Sequence, residues 1–133
     1  LQTGDGEFNQ LIKIEASHSF YPLPFYATVF AGFNNRTNNF SDEYHLGFEV
    51  GYTFKKVSAN FKVHSVQSLF NGEPGGSVGN GVFSNNTEFV SYTPEINWNI
   101  TSKLGASVNA GFALSGKRIL ASPNYGAGIY YQL

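Results

Sequence analysis

The feature that most constrains this chain is a two-residue alternation of apolar and polar side chains that recurs along its length. The clearest case runs from Tyr44 to Phe54. One set of alternate positions there holds Tyr44, Leu46, Phe48, Val50, Tyr52 and Phe54, and the other holds His45, Gly47, Glu49, Gly51 and Thr53. Successive side chains of a β-strand point to opposite faces, so this pattern predicts a strand with two chemically different faces.

Similar alternation predicts an all-β, antiparallel up-and-down barrel in a single domain over residues 1–133, with about seven strands in this chain. The predicted strands are Phe8–Tyr21, Phe25–Asn34, Tyr44–Phe54, Val57–Phe70, Thr87–Thr101, Leu104–Ser115 and Tyr125–Leu133. The fourth segment changes phase after His64, which predicts a β-bulge or an early exit from the membrane there.

The connections between these segments alternate in length. Residues 21–24, 55–56 and 101–103 form short turns, whereas residues 34–42, 71–86 and 116–124 form long polar links. Short turns on one side and long loops on the other are typical of outer-membrane barrels, in which the short turns are periplasmic.

Composition separates a membrane barrel from other classes. Charged residues make up 13% of the chain and aromatic residues 17%, whereas soluble surfaces are commonly about 25–35% charged. No run approaches the roughly 18 apolar residues of a membrane-spanning helix. The net charge of -1 offers no basic field for nucleic acid, and the absence of cysteine excludes disulfides and thiolate metal sites.

The main rival is a secreted lipocalin-like barrel with the faces reversed, so that the apolar rows surround a ligand. Its solvent surface would then carry the glycine, serine, asparagine and threonine rows, which supply too little charge. Aromatic residues near the predicted strand ends instead suit the interfacial girdles of a transmembrane barrel. These are Tyr44, Tyr52, Phe54, Tyr92, Trp98 and Tyr131.

The last segment, Tyr125–Leu133, resembles the C-terminal signal that the bacterial outer-membrane assembly machinery reads, although Leu133 stands where that pattern prefers Phe or Trp. The strings at residues 3–7, 47–52 and 115–118 are similar to those of transporter-type barrels, including the putative phenol-degradation pathway outer-membrane family. The resemblance implies a bacterial outer-membrane location, contact with membrane lipid and lipopolysaccharide, and delivery by the assembly machinery.

Strand parity predicts that this chain is part of a larger barrel. Single-chain bacterial barrels usually have an even number of strands and both termini in the periplasm. Seven strands with a periplasmic C-terminus would place Leu1 on the extracellular side. We therefore expect Phe8–Tyr21 to pair with a strand from outside these seven, or to leave an open edge.

Charged and imidazole side chains gather on the polar rows of neighbouring predicted strands. They are Lys13, Glu15, His45, Glu49, Lys62, His64 and Glu95. In a barrel they would face the lumen, as a polar constriction or solute site, or as ion pairs that fill the interior. Centring a hairpin between Lys55 and Lys56 predicts that Glu49 pairs with Lys62.

The residues favour a non-enzymatic protein without metal or cofactor. His45, Glu49 and His64 carry nitrogen and oxygen atoms suited to a metal ion, but such residues are more often polar fillers. In His18-Ser19 and His64-Ser65 the two side chains are adjacent, so they point to opposite faces of a strand and cannot form a nucleophile–base pair. Asp5, Glu7, Asp42 and Glu43 could bind calcium or cations that bridge lipopolysaccharide, although loop carboxylates are usually just solvated.

These patterns favour a porin-like channel or transporter for small solutes. A structural or accessory subunit of an outer-membrane complex, in contact with other protein chains, is the second interpretation.

Overall fold

The chain forms one antiparallel sheet in a computed structural model that describes residues 8–73, 85–119 and 122–131. The strands are β1 (Asn9–Ser19), β2 (Phe25–Arg36), β3 (Glu43–Phe54), β4 (Val57–Ser68), β5 (Glu88–Asn99), β6 (Leu104–Lys117) and β7 (Asn124–Tyr131). Their order in the sheet is their order in the chain. The described part contains no helix that is long and apolar enough to cross a membrane.

The seven predicted strands and their up-and-down order are confirmed, and the strand ends agree to within two residues across the described ranges. Each strand is hydrogen-bonded to the next strand in the chain. Short connections join the strands at one end of the sheet, and longer links join them at the other. Residues 55–56 form a two-residue hairpin, because Phe54 pairs directly with Val57. The strand ends joined by the other three links, β2 to β3, β4 to β5 and β6 to β7, lie at the opposite end of the sheet.

The two faces of the sheet differ as the alternation predicts. One face, here called the apolar face, carries the rows that include Val29, Phe48 and Ile129, which are 58%, 41% and 81% exposed. The other, here called the polar face, carries His45, Glu49 and the other polar positions of each strand, most of them half-buried in β3 to β5. Among the described residues Val66, at 3% exposure, is the one buried hydrophobic side chain.

The β-bulge predicted in the fourth strand is wrong, whereas the alternative of an early exit from the membrane stays a prediction. The β3–β4 pairing keeps one register from Phe54↔Val57 to Glu43↔Ser68. The alternation of β4 is interrupted without a bulge. Ser65 occupies an apolar-face position opposite Leu46, and Val66 occupies a polar-face position opposite His45. The register shifts instead between Val90 and Ser91 of β5, where β6 contains one extra residue.

The sheet is open. Within the described residues, the first and last strands, β1 and β7, each have one strand neighbour, β2 and β6, and they are not paired with each other. Strand β1 and strand β7 therefore present unpaired backbone groups along their outer edges. The prediction that the first strand leaves an open edge is confirmed, whereas closure into a barrel is not seen in this sheet.

Candidate functional site: charged clusters on the polar face

Sheet register brings the seven predicted residues to one face. Thr28, Glu49, Lys62 and Thr93 form a continuous cross-strand row from β2 to β5. In the neighbouring rows, Glu15 pairs across to Phe30. The polar face thus holds Lys13, Glu15, His45, Glu49, Lys62, His64 and Glu95, and their contacts divide them into three groups.

The first group is a lysine held between two carboxylates. Lys62 Nζ lies 3.5 Å from Glu49 Oε2 and 3.9 Å from Glu95 Oε2. Glu49 and Lys62 are direct cross-strand partners, as the hairpin register predicts, so this prediction is confirmed. The Lys62 side chain is 45% exposed, and such accessible pairs contribute little to stability, commonly about 0–1 kcal/mol each.

Neutral side chains complete this group, and the sequence patterns did not single them out. The Tyr26 hydroxyl donates a hydrogen bond to Glu49 Oε1. Asn97 Nδ2 and Asn60 Nδ2 donate to Glu95 Oε1 at 2.8 Å and 3.4 Å. Tyr26 could not be assigned to the polar face from alternation, because aromatic residues occupy both rows of β2.

The second group surrounds the carboxylate of Glu43. Arg36 Nη1 lies 2.6 Å from Glu43 Oε1, and the two side chains are 7% and 9% exposed. His45 Nε2 lies 3.5 Å from Glu43 Oε2. His64 Nε2 lies 3.3 Å from His45 Nδ1. A buried acid is thereby linked to both histidines of the polar face.

The interpretation of Glu43 as a solvated loop carboxylate is wrong, because Glu43 begins β3 and points to the polar face. Its neighbour Asp42 does lie in the link. The backbone N–H of Arg36 and the side chains of Asn71 and Asn35 donate to Asp42, and these bonds hold its pKa below the ordinary value of 3.8. Asp5 and Glu7 lie outside the described residues.

The third group stays on the edge strand. Lys13 Nζ lies 2.8 Å from Glu15 Oε2 and 4.4 Å from the centroid of the Phe30 ring. Both side chains are about half-exposed. This pair does not contact the Glu49–Lys62–Glu95 group among the ion pairs of the described residues.

Glycines on the polar face make room for aromatic rings from the neighbouring strand. A Cβ atom added at Gly47 would lie 2.5 Å from ring atoms of Phe30, and one at Gly51 would lie 2.0 Å from the Tyr26 ring. A ring that lies flat across a neighbouring glycine covers the exposed backbone there. These glycines are therefore packing positions, which alternation alone placed in the polar row with His45 and Glu49.

The polar face forms ion pairs, and its histidine and serine side chains are not arranged for nucleophilic catalysis. His64 faces the polar side, whereas Ser65 pairs with Leu46 on the apolar side, so the two do not form a nucleophile–base pair. In residues 8–73, 85–119 and 122–131, no group of three or more histidine, aspartate or glutamate side chains is arranged to hold a metal ion.

Fold and site together define an all-β protein made of one antiparallel meander, with an ion-paired polar face and an exposed apolar face. Comparisons of the chain with protein-family models, curated proteins and solved structures give no match. The resemblance to transporter-type barrels stays a prediction.

Proposed function

We propose that this chain is part of a bacterial outer-membrane β-barrel that acts as a porin-like channel for small solutes. In this arrangement the apolar face contacts lipid and the polar face lines the lumen. The observation that carries the proposal is the distribution of exposure. Large apolar side chains such as Leu46, Phe48 and Ile96 are exposed on one face, while charged side chains are paired on the other.

The exposed apolar side chains extend over the whole sheet, which favours a lipid environment over water. Exposed large hydrophobic residues occur in every strand, whereas soluble monomers rarely expose a contiguous apolar patch beyond about 300–600 Å². Lipid removes this cost, because hydrocarbon is the medium in which such a surface is stable. A lipocalin-like barrel would need the same side chains inside, so their exposure counts against that alternative.

The length of the apolar rows also suits a bilayer. Tyr44 and Phe54 bound the apolar row of β3 and are separated by ten residue steps (54 minus 44). At about 3.4 Å per residue the row is about 34 Å long, and a strand tilt of about 40° reduces this to roughly 26 Å. Outer-membrane barrels carry an apolar band about 25 Å tall.

The ends of the apolar band suit the two membrane surfaces. Five of the six predicted girdle residues lie toward strand ends on the apolar face, and Tyr92 lies further in, level with Val63. Lys55, Lys56 and Lys103 lie at the short-turn end, which we place in the periplasm next to lipid headgroups. The long links then face lipopolysaccharide, and β7 supplies most of the segment that the assembly machinery would read.

Open edges support the idea that further strands complete the barrel. An unpaired backbone group in hydrocarbon costs several kcal/mol, so the edges of β1 and β7 require partners in a membrane. Because β1 and β7 run in the same direction, an odd number of additional strands would give an all-antiparallel barrel.

Two adjacent arginine substitutions test the assignment of the faces. Val29 and Thr28 are neighbours on β2 and point to the apolar and polar faces. We expect Val29→Arg to lower the free energy of unfolding in lipid vesicles by about 2–4 kcal/mol, as arginine does at the lipid-facing midplane. Thr28→Arg should cost much less, because it faces Glu49. Equal costs in urea unfolding would contradict the proposal.

A structural or accessory subunit is the second candidate, and the open edges favour it because another chain could pair there. A measurement of ion conductance distinguishes the channel from the accessory subunit. Full-length protein reconstituted in a planar bilayer should give discrete channel openings if the polar face lines a pore. Membrane insertion without conductance would support the accessory role. We propose no enzymatic activity for either.

A further inference from the structure

His45 and His64 meet on the polar face at a separation suited to a shared metal ion. His45 Nδ1 and His64 Nε2 lie 3.3 Å apart, and the ring centroids are 5.4 Å apart. Two nitrogen ligands of a tetrahedral zinc ion, each at about 2.0–2.1 Å from the metal, are separated by roughly 3.3–3.4 Å. We propose that these two imidazoles bind a divalent transition-metal ion, with oxygen atoms of water or solute as its other ligands.

A carboxylate faces the far side of one ring. His45 Nε2 is buried, makes no hydrogen bond within the described part of the chain, and lies 3.5 Å from Glu43 Oε2. Metal-bound histidines commonly direct the other ring N–H at a carboxylate, which fixes the tautomer and the ring orientation. A metal at His45 Nδ1 requires the proton on Nε2, the nitrogen that lies 3.5 Å from Glu43 Oε2.

Two cations on the same face are each paired with a carboxylate. The guanidinium of Arg36 is paired with Glu43 at 2.6 Å, and the ammonium of Lys13 is paired with Glu15 at 2.8 Å. The rings of Phe30 and Phe89 lie 5.5 Å and 5.6 Å from the His64 ring, centroid to centroid. His64 is therefore in ring contact with both phenylalanines as well as with His45.

Without metal, the same two nitrogens share a hydrogen bond. If His45 keeps its proton on Nε2, then His64 Nε2 donates to His45 Nδ1. Metal binding replaces this bond, and the proton of His64 moves from Nε2 to Nδ1, so the ring stays neutral. The site is thus a hydrogen-bonded pair that a metal ion can enter, and it does not depend on the proposed membrane function.

The test is a titration of the folded full chain in detergent with Zn²⁺ by calorimetry and with Co²⁺ by absorption spectroscopy. We expect His45→Asn and His64→Asn each to weaken Zn²⁺ binding at least tenfold and to abolish the intense visible bands of tetrahedral Co²⁺. Glu43→Gln should weaken binding about tenfold, the lower end of the effect of removing such a carboxylate.

The third histidine supplies a matched control. His18 pairs with Ala27 on the apolar face, away from the other two, so His18→Asn should leave both titrations unchanged. Equal Zn²⁺ affinity in the parent chain and His45→Asn would overturn the proposal. Absence of Co²⁺ bands from the folded parent chain would also overturn it and leave the contact as a hydrogen bond only. Circular dichroism of each variant establishes that the sheet is intact.

Discussion

At the scale of single residues, burial separates ion pairs that look alike in sequence. Arg36–Glu43 is almost fully enclosed, at 7% and 9% side-chain exposure, whereas Lys62 remains about half-exposed beside Glu49 and Glu95. Water therefore screens the charges of Lys62, Glu49 and Glu95, whereas Arg36 and Glu43 are largely shielded from water. Removal of one partner from a buried pair leaves a charge that has lost its hydration and its counter-charge.

This difference predicts unequal costs for two matched substitutions. Arg36→Gln should lower the free energy of unfolding by about 3–5 kcal/mol, because Glu43 would stay buried without its cation. Lys62→Gln should lower it by less than about 1 kcal/mol. Urea unfolding of the refolded chain in detergent measures both. Similar losses for the two variants would show that Glu43 gains water when Arg36 is removed.

Asp42 gives a residue-scale prediction for low pH. Hydrogen bonds from the Arg36 backbone, Asn71 and Asn35 hold its folded pKa below 3.8. Because the folded pKa is the lower one, the carboxylate stabilises the link above the unfolded value and loses that effect as pH falls through the folded pKa.

We expect the NMR shift of the Arg36 amide proton to titrate with a midpoint below pH 3.8, since that proton is donated to Asp42. Asp42→Asn should abolish the titration, and Glu73→Gln should preserve it. A midpoint at or above the ordinary value would contradict the hydrogen-bond arrangement.

At the scale of elements, the hairpin between β3 and β4 fixes the register that aligns Glu49 with Lys62. Its first turn residue, Lys55, has a φ of 55°, in the left-handed region that costs a residue with a Cβ atom roughly 1–2 kcal/mol. The next residue, Lys56, is outside that region and its Nζ donates to the Ile100 carbonyl at 3.3 Å.

These neighbours predict opposite effects of glycine. Lys55→Gly should raise the free energy of unfolding by up to about 1 kcal/mol, because glycine adopts positive φ without steric cost. Lys56→Gly should lower it by about 0.5–1 kcal/mol, since it adds backbone freedom to the unfolded chain where positive φ is not needed. Thermal unfolding of both variants measures the difference, and stabilisation by Lys56→Gly alone would refute the turn geometry.

At the scale of the whole molecule, the decisive feature is that the sheet formed by the described residues has two free edges. Its seven strands alternate in direction, so β1 and β7 run the same way. Direct closure would therefore create one parallel seam in an otherwise antiparallel sheet. Further strands between the two edges avoid that seam.

Engineered disulfides test the spacing of the edges, and the chain has no native cysteine to interfere. Cysteines at Ala16 of β1 and Ile129 of β7 should form no bond within a chain, because a disulfide needs Cα atoms within about 7 Å. Cysteines at Ala59 and Ile96, which are cross-strand partners, should oxidise readily. Intrachain β1–β7 bonding at the control rate, found by scanning both strands, would indicate a closed seven-stranded barrel.

The sequence by itself determined the strands, their order and their faces. Alternation is a local property of the sequence, and a short turn brings the two strands that it joins into antiparallel pairing. The Glu49–Lys62 contact could therefore be predicted from the hairpin. Tertiary structure alone decided the burial of Glu43 beside Arg36, the fit of Phe30 across Gly47, and the meeting of His45 with His64. These contacts depend on register summed over several strands and on side-chain rotamers, which period-two patterning does not encode.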